Sequence, residues 1–191
     1  MKAYYSAGDY PKALEECKKA LALYPGSASA HGSCATIYVM MDRMEEALSE
    51  LTLSIRIDRE KGQENANTFN TLGHVYMKQG NNQAALDAFD KATTIDAKLA
   101  LAFYNKGLTH NRMRQSEKAK DDFRRAILAD AKYADAHWQL AMICDEQGDV
   151  TCALDAYQNF KSRVQALPEY LADVAHANDR IKALEAKIPP R

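Results

Sequence analysis

Small and bulky apolar residues recur along this chain with a short period nested in a long one. The short period is helical. Ala85, Phe89 and Ala92 stand at i, i+4 and i+7, one face of a 3.6-residue turn, with polar residues between them. The long period repeats that face: Ala13, Ala47, Ala85, Ala119 and Ala153 are each followed four residues later by Cys17, Leu51, Phe89, Phe123 or Tyr157. The alanines are spaced 34, 38, 34 and 34 residues apart. Nine residues before each of them stand Tyr4, Tyr38, Tyr76, His110 and Cys144, and Gly8, Gly80 and Gly148 lie five before theirs. A glycine just past the last periodic residue is a helix stop, so each unit reads as two helices around a tight turn. Ala35, Gly73, Gly107 and Ala141 put a small residue midway along the first helix, where the second must approach closely. A hairpin this short cannot bury its apolar face alone, so the units must stack.

In this order the residues resemble the tetratricopeptide repeat (TPR) family. The third unit carries the family motif as Phe69, Leu72-Gly73, Tyr76, Gly80, Ala85, Phe89 and Ala92. The fourth reads Phe103, Lys106-Gly107, His110, Arg114, Ala119, Phe123 and Ala126. The resemblance implies an all-α, right-handed solenoid of antiparallel helix pairs, about four and a half repeats closed by a C-terminal capping helix. The units fall at residues 1–27, 28–65, 66–99, 100–133 and 134–166, with the cap at 167–188 and a tail at 189–191. The register of the first unit begins before Met1, so its first helix is expected to be mostly missing or frayed. Four extra residues within 59–65 either lengthen a helix or form a bulged loop. In the cap, Leu171, Val174, Ala175, Asn178, Ile181 and Leu184 are expected on the packed face, and Lys106, where the family has Leu, is expected to extend its ammonium to solvent.

Composition narrows the function. Lysine and arginine number 25 against 26 acidic residues, a net charge of -1, which lacks the basic surplus of a nucleic-acid binder. No apolar run approaches the roughly 18 residues that cross a bilayer, and residues 1–10 do not read as a secretory signal, so a soluble protein, cytoplasmic or periplasmic, is expected without direct membrane insertion. Neither GxGxxG nor GxxxxGK[ST] occurs, and no cofactor is implied. His31, His110 and His137 occupy packing positions, His31 and Cys34 lack the further ligands of a zinc site, and no triad spacing is present. The chain is therefore read as non-catalytic, with no metal site. Cys17, Cys34 and Cys144 fall at packing positions and read as structural thiols, as does Cys152. A Cys144–Cys152 bridge across one turn is the alternative in an oxidising compartment.

By analogy with the family, the free faces of the first helices line a concave groove. The second unit contributes Ser29, Gly32, Ser33 and Thr36, the third adds Asn67 and Thr71, and the last ends acidic at Asp145 and Glu146. The candidate partner-binding residues are Asn70, His74, Met77, Tyr104, Asn105, Asn111, Arg112, Trp138 and Gln139. Amides that donate and accept at once suit capture of a peptide backbone. Trp138 reads as an exposed hot spot or, alternatively, as a ring buried by the terminal helix. A carboxylate clamp is not expected, because Asp135 and Gln139 stand where the clamp needs Lys and Arg. The expected function is protein binding as an adaptor or assembly factor, with a peptide or helix of a partner in the groove. The alternatives are a fragment of a longer scaffold and a periplasmic assembly factor for surface appendages or envelope complexes. Oligomerisation is left open.

Overall fold

The computed structural model describes residues 8–188, so the expectations for the first helix of unit one and for the 189–191 tail lie outside the described residues. The described residues are all-α: α1 (Tyr10–Leu23), α2 (Ala28–Met40), α3 (Met44–Glu60), α4 (Ala66–Lys78), α5 (Asn82–Ile95), α6 (Ala100–Arg112), α7 (Ser116–Ala129), α8 (Ala134–Glu146), α9 (Val150–Val164) and α10 (Leu171–Glu185), with a single 3₁₀ turn at Pro168–Tyr170. Local chemistry sets many of the starts. The side chains of Asp9, Ser27, Asn65, Asn81 and Asp149 each accept a backbone N–H from the first turn of the helix they precede. The extra residues before the third unit lengthen a helix: α3 runs 17 residues where α5 and α7 run 14.

Two compact units make up the chain, Met1–Asn105 and Lys106–Arg191. In the first, Ala13, Cys17, Cys34, Ala35, Ala47, Leu51 and Val75 share one core, and Phe69, Ala92 and Ala102 form a second cluster. Close approach explains Gly73, because a Cβ there would sit 2.5 Å from the Phe89 ring. In the second unit Gly107 meets Phe123 in the same way, at 2.7 Å. The repeat also imposes its turn where glycine is missing. Asp42 and Arg114 stand where the other turns have Gly80 and Gly148, and all four adopt positive φ, at 57, 59, 78 and 75° respectively.

Three expectations are corrected. The cysteines are not free thiols: Cys17 pairs with Cys34 and Cys144 with Cys152, with Cα atoms 5.7 and 5.8 Å apart, the separation a disulfide requires. Cys17 and Cys34 are packing positions on neighbouring helices that face each other, whereas Cys144 is a packing position bridged to the partly exposed Cys152. Lys106 does not reach for solvent. Its ammonium lies 3.6 Å from the buried carboxylate of Asp122, which also sits 2.6 Å from His110 Nδ1. Finally, α10 is rotated from the expected face. Ala177 and Leu184 are buried and Val174, Arg180 and Ile181 half-buried, while Leu171, Ala175 and Asn178 are exposed.

Candidate functional site

The first unit leaves an open slot between α2 and α4. It encloses about 180 Å³ and is lined by Ser29, Gly32, Ser33 and Thr36 on one side and by Asn65, Asn67, Thr68 and Thr71 on the other. Thr36 and Thr71 donate their hydroxyls to carbonyls of their own helices, Gly32 O at 3.0 Å and Asn67 O at 2.9 Å. Asn65 accepts from the N–H groups of Asn67 and Thr68. No charged side chain lines the slot. Its chemistry is neutral hydroxyl and amide, suited to a peptide backbone and indifferent to side-chain charge.

Beside the slot, two expected groove amides turn inward. Asn105 Nδ2 donates to Asn70 Oδ1 at 3.1 Å, and both residues are buried. Met77 is buried as well, whereas His74 and Tyr104 are half-buried.

In the second unit the corresponding helix, α8, lies under α10. Arg180 donates to both carboxylate oxygens of Asp145, from Nε and Nη2, each at 2.7 Å. The Tyr157 hydroxyl donates to the same carboxylate at 3.3 Å, and Tyr170 donates to Asp135 at 3.3 Å. Trp138 is half-buried within an aromatic cluster, its ring centroid 4.9 Å from Phe160, 5.5 Å from His176 and 5.8 Å from Tyr157. His176 of the terminal helix thus packs against the indole, which stays half-buried. Asn111 and Gln139 are half-buried and Arg112 is exposed.

Electrostatics follow the same contacts. Hydrogen bonding from Arg180 holds the Asp145 carboxyl below the ordinary range. Burial, reinforced by the Asp145 charge, pushes the Tyr157 hydroxyl up to about 12. A cavity of about 290 Å³ remains beside α10, lined by Met142, Asp145, Glu146, Tyr157, His176 and Arg180. Sequence reasoning saw the acidic end of this face but missed its arginine, which lies outside the repeats.

Among the described residues, the cluster of metal-ligating groups is Cys144, Asp149 and Cys152, whose two sulfurs are bridged. No helix of the described residues is long and apolar enough to cross a membrane.

Comparison with known proteins places these features in a family. Models described as tetratricopeptide repeat match residues 4–63 and 104–161, and one described as TPR repeat matches residues 63–113. Human protein O-mannosyl-transferase TMTC1 is 27% identical over 191 residues, 96% of this chain and 21% of that protein. The chain therefore spans about a fifth of that relative's length. Among solved structures, Pseudomonas aeruginosa PilF matches with TM-score 0.78 at 21% identity, covering 95% of this chain and 84% of its own. PilW, described as a widely conserved type IV pilus biogenesis factor, matches with TM-score 0.77 at 21% identity, covering 97% and 87%.

Proposed function

The chain belongs to the tetratricopeptide repeat family, and from that premise we propose that it is a non-catalytic protein-binding module, an adaptor or assembly factor that holds a peptide or helix of a partner on the faces of its first helices. One observation carries the reading: α8 already holds a helix there. Arg180, His176 and Tyr170 reach Asp145, Trp138 and Asp135 as a bound segment would. In the first unit the face of α2 and α4 stays open, and its neutral lining supports capture of an extended segment through backbone hydrogen bonds.

The test is affinity capture with the full chain, comparing wild type with Ser33→Arg and Asn67→Arg, which fill the slot, and with Lys118→Ala, an exposed position on α7, as control. Slot-filling should weaken a captured partner by about tenfold or more, roughly 1.4 kcal/mol. Equal binding by all variants contradicts the reading.

The two disulfides favour a second reading within the same class. Disulfides persist in oxidising compartments, which suits an assembly factor of the periplasm or cell envelope. The likeness to PilF and PilW is consistent with that reading at the level of fold.

A further inference from the structure

The two disulfides close the fold at places of unequal need. Cys17–Cys34 ties α1 to α2 through residues that are 0% and 1% exposed. Cys144–Cys152 ties the last turn of α8 to the first turn of α9, and its two ends differ. Cys144 is buried, whereas Cys152 is partly exposed and lines an open cleft of about 590 Å³ with Arg124, His137, Leu140, Thr151 and Asp155.

The α8–α9 turn does not need this bridge. Asp149 N donates to Cys144 O at 2.9 Å, and the Asp149 side chain caps α9 by accepting from Cys152 N at 3.0 Å. Three other hairpin turns among the described residues make the same backbone bond without a covalent link: Arg43 N to Tyr38 O, Asn81 N to Tyr76 O and Gln115 N to His110 O, each at 2.9 Å. Where this turn has Cys144 and Cys152, those turns have Tyr38 and Glu46, Tyr76 and Ala84, or His110 and Lys118. Closing a separation of only 8 residues also removes less denatured-chain entropy than closing the 17 of the first bridge. A bond that the turn does not require, with one of its two residues lining an open cleft, is better suited to chemistry than to stapling.

We propose that Cys144–Cys152 is a thiol-exchange site whose attacked sulfur is Cys152 and whose co-substrate is a dithiol, while Cys17–Cys34 is a permanent staple. A thiolate of the dithiol attacks Cys152 Sγ. The Cys144–Cys152 bond breaks and its electron pair leaves on Cys144, which takes a proton from solvent. The second thiol of the reagent then loses its proton and displaces Cys152 from the mixed disulfide, and Cys152 is protonated in turn. The protein gains two electrons and two protons, and the dithiol leaves as a disulfide. Asp149 acts on this bond through its charge. A carboxylate oxygen and the two sulfurs all lie within 4.8 Å of one another, so the carboxylate opposes the incoming thiolate. The backbone bond and the cap survive reduction, so the hairpin stays folded.

The experiment exposes the full native chain to dithiothreitol, stops the reaction at intervals by denaturing alkylation, and maps each cysteine pair by mass spectrometry. Cys144–Cys152 should open at least about tenfold faster than Cys17–Cys34, with the helical circular-dichroism signal unchanged. Asp149→Asn keeps a capping side chain but removes the charge; it should speed the opening of Cys144–Cys152 several-fold and leave the other bridge alone. A Cys152→Ser chain should retain its helicity. Equal rates, the reverse order, or helicity lost in step with the opening of Cys144–Cys152 would overturn the proposal.

Discussion

The first-helix faces of the two units meet their surroundings differently. In the first unit, α2 and α4 leave a neutral slot of serine, threonine and asparagine open to solvent. In the second, α8 presents Asp135, Trp138 and Asp145, and the chain's own C-terminal segment answers with Tyr170 from the 3₁₀ turn and His176 and Arg180 from α10. The same position in the repeat is therefore an open face in one unit and part of an internal interface in the other. The two faces differ in chemistry: the covered one is acidic and aromatic and meets an arginine, a histidine and a tyrosine, whereas the open one carries only neutral hydroxyls and amides.

Removing that segment should have the largest effect. Truncation after Ala166 exposes Trp138 and the surface covered by Ala177 and Leu184, and is expected to cost about 3 kcal/mol and to promote aggregation. Chemical denaturation with light scattering checks this, and the emission of Trp138, the single tryptophan, should shift to the red. An equally stable, monodisperse product would erase the contrast between the units.

A smaller effect sharpens the comparison electrostatically. Arg180→Gln should cost about 1 kcal/mol, because the pair is well aligned but Arg180 is 36% exposed. The sign with pH follows from Asp145. Its carboxyl is held below the unfolded value of about 3.9, so the stabilisation is fully present above that pH and is lost as pH falls through the lower folded value. Denaturation curves of wild type and Asp145→Asn should therefore differ at pH 7 and converge in strong acid. A constant difference across that range would remove Asp145 from the docking of α10.

The smallest effect compares the turns. Arg114→Gly in the second unit should stabilise by up to about 1 kcal/mol, because the left-handed conformation penalises a side chain there. Asp42→Gly in the first unit should gain less, since aspartate tolerates that region better. Thermal melts that rank these two in the opposite order would show that the turns are not equivalent.

Much of this was legible in the sequence. The recurrence of Ala, Phe and Gly carries the helix pairs and the turns at Gly80 and Gly148. Six residues of the open slot, Ser29, Gly32, Ser33, Thr36, Asn67 and Thr71, were named by analogy with the family. What escaped depends on contacts that periodicity does not encode. Asn70 meets Asn105 and Asp145 meets Arg180 across 35 residues. Arg180 on α10 is tied to Asp145, and Leu171, apolar and in phase, stands 66% exposed. Lys106 escaped because the family template supplies no acid for it, whereas this chain places Asp122 beside it. The cysteines were placed correctly, but pairing needs the distance between helices, which spacing alone does not give.

Photo-crosslinking tests the central claim most directly. A benzophenone amino acid is placed at Asn67, exposed on the slot, and in a separate chain at Lys118, exposed on α7, and each chain is irradiated with a partner obtained by capture. The account predicts a covalent adduct from position 67 and none from position 118. Crosslinking from 118 with none from 67 would contradict it.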